Sequence, residues 1–303
     1  MFAVRPCGIV LGVVLGVAAC TSSSEAPPPP GQGWMEPIAD SAALSELSIP
    51  GTHESLALYE PLVGTAKCQV LSLAAQLDAG VRYVDVRCRH LENAFQIFHG
   101  PVFEQQTFDD VVATVLGFLD EHPSETLIMS IKEESTPDGS TRSFEDTFAS
   151  YVARAPDRWY LGTSLPRLGE ARGKIVLLRR FSATSSALGI DASSWADDTT
   201  FSIGAGPTLR VQDAYQVTDD TAKWTAIADL LDEARSPSAT LYLDYTSGYQ
   251  MHGALPNIPS VADVINQQLD TRLADPATAS AHLGVVVNDF MTEARALRIL
   301  RRN

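Results

Sequence analysis

The chain has 303 residues, 45% of them hydrophobic, with a mean hydropathy near zero. That is enough apolar material for one large core, and it excludes a disordered chain or a multi-spanning membrane protein. A formal charge of -15 at pH 7 excludes a general attraction to nucleic acid or anionic lipid, so any anionic ligand must be held by local Arg and Lys.

The N-terminus reads as an export signal over residues 1–19. Arg5 supplies the positive region, and Ile9 to Ala19 is an apolar stretch too short to span a bilayer comfortably. It ends in Val17-Ala18-Ala19-Cys20, which resembles the bacterial lipobox, in which the cysteine is lipidated and becomes the mature N-terminus. An ordinary cleavage site with a chance cysteine is the alternative, and either one sends the protein out of the cytoplasm as an anchored lipoprotein or a secreted protein. Residues 20–33 are then Cys20 and a tether. TSSSEAPPPPGQG has no core-forming residue, and Pro27 to Pro30 favour an extended segment of roughly 3 Å per residue. A single folded domain follows over 34–303, with a monomer as the simplest state. Only Cys68 and Cys88 remain in it, and an even pair in an exported domain is a disulfide candidate. The alternative is two buried free thiols.

Along the domain, short β-branched runs alternate with helical patterns. Leu47 to Ile49 reads as a strand closed by Pro50-Gly51, Val70 to Leu77 as a helix stopped by Gly80, and Val81 to Cys88 and Ala94 to Phe98 as strands. Thr107 starts a helix carrying Val111, Val112, Val115, Leu116 and Leu119 at helical spacing. Further strands are expected at Thr126 to Lys132, Lys174 to Arg179, Thr240 to Tyr245 and Leu283 to Asn288. Helices near 142–154, 219–235, 260–273 and 291–301 separate them. Near-continuous apolar strands alternating with helices predict an α/β fold with a parallel sheet covered on both faces.

A doubly wound open sheet and a β/α barrel both fit that order. His53, Arg87, His99, Lys132, Arg180, Asp213 and Asp289 each fall at or just past the C-terminal end of an expected strand. In a barrel those ends converge on one mouth, whereas an open sheet would scatter most of them. No glycine-rich phosphate loop or dinucleotide fingerprint follows any strand. A single barrel with its active site at the C-terminal strand ends is therefore expected.

His53 and His99 bracket Val84-Asp85-Val86-Arg87. Cleavage of a phosphodiester needs a base for the attacking oxygen, an acid for the departing one and a cation for the phosphoryl oxygens. Two histidines and an arginine supply all three without a metal or other cofactor. Around these residues the stretches SIPGTHES, QLDAGVRYVDVRCR, FHGP, HPSETLIMSIKEE, ARGKIVLLRRFS, VQDAY and VVVNDF resemble the bacterial phosphatidylinositol-specific phospholipase C family, the X-domain superfamily. They run in order from about residue 44 to about 290.

The resemblance implies a distorted β/α barrel. It also implies an attack by the inositol 2-hydroxyl that releases diacylglycerol and leaves inositol 1,2-cyclic phosphate, a reaction favoured by proximity. Position by position it makes His53 the general base, Asp289 its orienting carboxylate, His99 the general acid and Arg87 the phosphate clamp, with Asp85 beside it. Lys132, Arg180, Asp213, Tyr215 and, more weakly, Glu134 fall on inositol-pocket positions. Where the family has aspartate after the first histidine this chain has Glu54, so His99 is expected to be held by a longer side chain and activity to be reduced. Glu54 and Asp85 would also suit a calcium site, but a fixed Arg87 opposes one. Taken singly, each residue has a blander reading: Arg87 as an ion-pair partner of Asp85, Lys132 in a solvated charge run with Glu133 and Glu134, Tyr215 as a loop aromatic.

The expected partners are phosphatidylinositol or a related inositol phospholipid and a membrane surface, not nucleic acid. Leu56, Leu58, Tyr59, Leu62 and Val63 after the first histidine, and Tyr249, Met251 and His252, are candidates for an apolar rim or equally for core. Two other functions compete. One is a phosphodiesterase for glycosylated inositol lipids or another phosphodiester, and the other is a non-catalytic surface protein that binds inositol phosphates or lipid headgroups.

Overall fold

The computed structural model describes residues 1–3, 31–204 and 208–303. Cys20, the rest of the export signal and the tether as far as residue 30 lie outside the described residues. In chain order the described residues form β1 (Ile49–Thr52), α1 (Leu73–Asp78), β2 (Tyr83–Leu91), β3 (Ala94–His99), β4 (Val102–Thr107), α2 (Phe108–Glu121) and β5 (Leu127–Asp138). Next come α3 (Phe144–Val152), β6 (Trp159–Tyr160), α4 (Leu168–Ala171), β7 (Ile175–Arg180), β8 (Ile190–Asp191), β9 (Thr199–Ile203) and β10 (Leu209–Asp213). The chain ends with α5 (Asp220–Glu233), β11 (Leu241–Tyr245), β12 (Gln250–His252), β13 (Leu255–Asn257), α6 (Ile258–Ala274), β14 (Val285–Asn288) and α7 (Glu293–Leu300).

The main sheet has the order β6-β7-β5-β2-β1-β14-β11-β10-β9. Every neighbouring pair in it is parallel except β10 with β9. It curls into a distorted α/β barrel, as expected. Among the described residues no ladder joins β9 to the β6–β7 edge, so the curl is open on one side. The β3–β4 hairpin, appended to β2 in antiparallel pairing, includes a strand the sequence pattern did not indicate. Val102-Phe103-Glu104-Gln105-Gln106 has two apolar residues followed by three polar ones, which gave no apolar run to find.

Pleating decides what lies inside. Ile49, Tyr83, Ile128, Val176, Val211, Leu243 and Val285 pack together in the interior of the curl. Their neighbours Val84, Val86, Met129, Leu177 and Val286 pack outward against Val111, Val115, Phe148, Ile227 and Ile265 of the helices. Successive side chains on a strand point to opposite faces. Two residues beyond the last interior positions therefore stand His53, Arg87 (after Tyr83 and Asp85), Lys132, Arg180, Asp213 and Asp289, stacked above the core at the mouth. Arg87, Lys132 and Arg180 share one row, since Arg87 pairs with Lys132 and Lys132 with Arg180 in the ladders.

Pro50 and Gly51 do not close the first strand, contrary to expectation; they lie inside it, opposite Val286 and Val287. Pro50 still accepts a ladder bond from Arg82 through its carbonyl. A Cβ at Gly51 would lie 3.1 Å from Tyr83 Cβ and 3.3 Å from Val285 Cγ1, so the crowded interior requires glycine there.

The closed pole of the barrel is fastened by charge. Fully buried Arg82, at the N-terminal end of β2, donates through Nε to Glu125 Oε2 at 2.9 Å, and through Nη2 to the carbonyls of Gly31 at 3.0 Å and Gln32 at 2.8 Å. Glu125 Oε1 accepts from the backbone of Met35, and Trp34 Nε1 donates to Gly80 O. Among the described residues, packing thus already includes Gly31 and Gln32, inside the segment read as tether, because Arg82 Nη2 has donors that these carbonyls satisfy.

The expected disulfide is not formed. Cys68 and Cys88 are both buried free thiols. Cys88 follows Val84 and Val86 in the outer layer, on the opposite face of β2 from Asp85 and Arg87. Cys68 sits in a small cluster with Ala57 and Ile258 at the mouth. The sheet separates them, and a bridge needs Cα atoms within about 7 Å and facing Cβ vectors. We expect a chain starting at Gly31 to titrate two thiols in denaturant without reductant; zero thiols, with a mass gain on reduction and alkylation, would contradict this arrangement.

Candidate active site

A cavity of about 900 Å³ opens at the C-terminal strand ends. His53, Arg87, His99, Lys132, Glu134, Arg180, Asp213, Tyr215 and Asp289 all line it. These come from seven strands and their following turns, so the barrel joins what 236 positions of chain separate.

His53 follows β1, its backbone N–H held by Asn288 O at 3.0 Å. Its Nδ1 lies 2.8 Å from Asp289 Oδ1. A carboxylate accepts, so Nδ1 carries the hydrogen and Nε2 is left as the basic nitrogen. His99, at the end of β3, places Nδ1 2.7 Å from Ala66 O. A carbonyl can only accept, so the same tautomer follows and Nε2 is the nitrogen that exchanges a proton. The two rings are 6.4 Å apart between centroids and stand edge to face. Burial and the neighbouring Arg87 charge hold His99 below the usual histidine range, against the hydrogen bond to Ala66.

Arg87 projects from β2 between them. Its Nε and Nη2 lie 3.2 Å and 3.1 Å from Asp85 Oδ2, and its Nη1 is 2.9 Å from Glu54 Oε1. The Glu54 contact is close but not aligned as a hydrogen bond. Burial would raise Asp85, yet Arg87 and Arg180 beside it hold the carboxyl far below the ordinary range. Glu54 goes the other way: burial pushes it up to about 8 against the pull of Arg87, with Glu134 and Asp85 pushing in the same direction as burial. Its backbone has φ 41°, a left-handed conformation that is costly for a residue with a side chain and gathers at functional turns.

Glu54 is not the close support of His99 that the resemblance implied. Its Oε1 stands 3.9 Å from His99 Nε2, beyond hydrogen-bonding range. The extra methylene carries the carboxylate onto Arg87, and the Ala66 carbonyl holds the histidine instead. Glu54 and Asp85 both close on the Arg87 guanidinium.

Elsewhere on the cavity wall, Lys132 Nζ pairs with Glu134 Oε2 at 2.9 Å. Glu134 Oε1 in turn accepts from Gly100 N at 3.0 Å. Burial raises Glu134, but Arg87 and Lys132 prevail and leave it below the usual range. Arg180 lies 3.7 Å over the Trp195 ring and 3.5 Å from Asp85 Oδ1. Asp213 Oδ2 accepts from Trp195 Nε1 at 2.9 Å. Tyr215 donates its hydroxyl to Asp197 at 2.7 Å, and its backbone N–H goes to Asp198.

Sequence reasoning missed Trp195, Asp197 and Asp198, which brace three of the named pocket residues at once. They lie between strands in Trp195-Ala196-Asp197-Asp198, where no apolar period draws the eye; a tryptophan among acidic residues is the available signal. Cys68 was named only as a disulfide candidate, and its place at the mouth, with Sγ 3.9 Å from His99 Nδ1, was missed. Gln69 was missed as well: its Nε2 joins His53 O at 2.9 Å to Asn288 O at 2.8 Å.

Residues 41–181 match the family model described as phosphatidylinositol-specific phospholipase C, X domain. A 1-phosphatidylinositol phosphodiesterase of Staphylococcus aureus (strain Newman) is 31% identical over 277 residues, covering 86% of this chain and 88% of that protein. The chain belongs to the phosphatidylinositol-specific phospholipase C family. A Listeria monocytogenes 1-phosphatidylinositol phosphodiesterase is 28% identical over 283 residues, covering 89% of this chain and 84% of that one. A solved mutant of the S. aureus phosphatidylinositol-specific phospholipase C superposes with a TM-score of 0.80 at 28% identity, covering 90% of this chain and 96% of the other. The L. monocytogenes enzyme superposes with 0.75 at 25% identity, covering 90% and 98%.

Proposed function

We propose that this chain is an exported phosphatidylinositol diacylglycerol-lyase. The observation that carries this reading is the pair of histidines, each with Nδ1 committed to an acceptor and Nε2 free, on either side of one buried guanidinium. His53 Nε2 takes the proton of the inositol 2-hydroxyl as that oxygen bonds to phosphorus. Asp289 keeps the ring oriented and stabilises the imidazolium that forms. Arg87 spreads its donors over the non-bridging oxygens. His99 Nε2–H gives its proton to the diacylglycerol oxygen as the P–O bond breaks. A binding protein would need the cation but neither oriented histidine. Lys132, Glu134, Arg180, Asp213 and Tyr215 offer alternating donors and acceptors, which suits the hydroxyls of a polyol ring.

The deciding experiment is phosphorus NMR of phosphatidylinositol micelles incubated with the chain. A cyclic phosphodiester as first product supports the reading. Binding without turnover, or release of phosphatidic acid, refutes it.

Proton bookkeeping sets the pH dependence. The free enzyme needs His99 protonated, so kcat/KM falls as pH rises through the His99 pKa. Because burial and Arg87 lower that value, the descending limb is expected below the ordinary histidine value of 6.5. A bound phosphate anion favours the imidazolium, so the descending limb of kcat should lie at higher pH than that of kcat/KM. A stopped-flow profile with both limbs coinciding above 7 would contradict the assignment.

Membrane engagement rests on the rim. Leu56 is core, but Tyr59, Leu62 and Val63 on the loop after His53 are exposed, and so are Met251 and Leu255 on the β12–β13 hairpin. The two groups are neighbours, since Ile258 N donates to Gly64 O at 2.9 Å. Phe103 on the β3–β4 hairpin extends the patch. Apolar side chains circling a mouth suit insertion into the headgroup layer. Solved structures of the S. aureus relative concern the modulation of its membrane binding. The lipobox-like Val17 to Cys20 supports anchoring through Cys20.

A further inference from the structure

We propose that His53, Cys68 and Asp289 form an inhibitory site for a thiophilic divalent cation such as Zn²⁺. One ligand atom from each lies within 4.8 Å of the other two. Asp289 is 2% exposed, and its Oδ2 is buried without a hydrogen-bond partner. The three backbones are tied to one another. Phe290 N donates to Cys68 O at 2.7 Å, His53 N donates to Asn288 O at 3.0 Å, and the Gln69 carboxamide bridges His53 O and Asn288 O. A site fixed from behind needs only small side-chain movements to reach zinc distances of about 2.0–2.3 Å, with water as a fourth ligand from the cavity. Binding releases the thiol proton of Cys68 to solvent and shifts the His53 hydrogen from Nδ1 to Nε2, so the ring binds as a neutral imidazole. The cation then replaces the Asp289 hydrogen bond that orients His53, and Nε2, now carrying hydrogen, has no lone pair to act as a base.

The test is titration of the full chain with Zn²⁺ for activity and with Co²⁺ for its absorption spectrum. Stoichiometric inhibition by Zn²⁺ but not Mg²⁺ is expected, together with a thiolate-to-cobalt charge-transfer band. Both should weaken at least tenfold in Cys68→Ala, each variant being compared with its own metal-free rate; Cys68→Ser serves if the alanine variant does not fold. No inhibition of the wild type, equal sensitivity in the variant, or cobalt spectra without a thiolate band would overturn the proposal.

A second inference comes from the opposite pole and rests on anchoring at Cys20. Arg82 holds Gly31 and Gln32 at the N-terminal strand ends, so the chain enters the barrel at the end away from the mouth. Eleven residues lead from Cys20 to Gly31, at most about 38 Å of chain. A domain of this size has a radius of gyration near 18 Å, hence a diameter of about 48 Å. The tether is shorter than the domain is wide. The geometry points to an anchored enzyme whose mouth faces away from its own membrane and takes lipid from an apposed surface.

The test couples the mature chain at Cys20 to a maleimide phospholipid in phosphatidylcholine vesicles, so it does not depend on acylation in the cell. Turnover of phosphatidylinositol on separate vesicles should exceed turnover on the same vesicle at least tenfold. Same-vesicle turnover should appear when about thirty Gly/Ser residues are inserted after Pro30. Equal same-vesicle turnover with the native tether, independent of vesicle dilution, would overturn the inference. Activity of the uncoupled chain on micelles separately tests the lyase reading.

Discussion

His53→Ala is expected to lower kcat on phosphatidylinositol by about three to four orders of magnitude with little change in KM, since it removes general-base help that is realised only in the transition state. Asp289→Asn should approach the same loss. An amide presents a donor toward Nδ1 as readily as an acceptor, so it no longer enforces the Nδ1–H tautomer, and it cannot stabilise the imidazolium. Because both residues act on one proton transfer, the double variant should be little worse than His53→Ala alone. Single-turnover rates on a soluble inositol phosphodiester check this without interference from interfacial binding. Multiplicative losses in the double variant would mean that Asp289 does something other than serve His53.

Arg87→Lys is expected to cost about 10²- to 10³-fold in kcat, equivalent to roughly 3–4 kcal/mol of transition-state stabilisation, while leaving the fold largely intact. Lysine keeps the charge but not the planar fork that reaches Asp85 through Nε and Nη2 and Glu54 through Nη1. Arg87→Ala should add a stability penalty of about 3–5 kcal/mol, because it strips the cation from the buried Asp85 carboxylate. The sign with pH follows from Asp85, whose pKa is held down in the folded wild type by Arg87 and Arg180. That contribution is present above the unfolded carboxyl value and is lost as pH falls through the lower folded one. The stability gap between wild type and Arg87→Ala should therefore be full at pH 7 and narrow in acid. Thermal unfolding at pH 7 and pH 3 measures it. A pH-independent gap would assign the loss to packing, and a Lys variant with full activity would remove Arg87 from phosphate binding.

Much of the fold was legible because it is written in short-range periodicity. Apolar β-branched runs marked β2, β5, β7, β11 and β14, and helical spacing marked α2, whose N-cap Thr107 accepts from Asp110 N. The mouth residues were legible for the same reason. Whatever follows the last apolar position of an interior-facing strand by two residues stands above the core, so His53, Arg87, Lys132, Arg180 and Asp289 could be grouped from strand ends alone. Pro50-Gly51 misled because turn-forming residues usually end strands; here close approach to Tyr83 selected the glycine.

The failures share one cause. Cys68 and Cys88 invited pairing because cysteine count carries no information about faces, and the pleat of β2 sends Cys88 outward while Cys68 lines the mouth. Trp195 carries no strand-end signature, yet it stacks under Arg180 and donates to Asp213 across the cavity. Glu54 was read as serving His99, but one methylene moves its carboxylate to Arg87. The sequence alone determined the main parallel strands and the long helices between them, the alternation of faces along each such strand and the chemical character of the mouth, because these depend on near neighbours along the chain. Only the tertiary structure decided which mouth residues meet, which tautomer each histidine holds, where Glu54 points and at which pole the chain enters. Those follow from the curl of the sheet and the register of its ladders, which sum contacts between segments far apart in sequence.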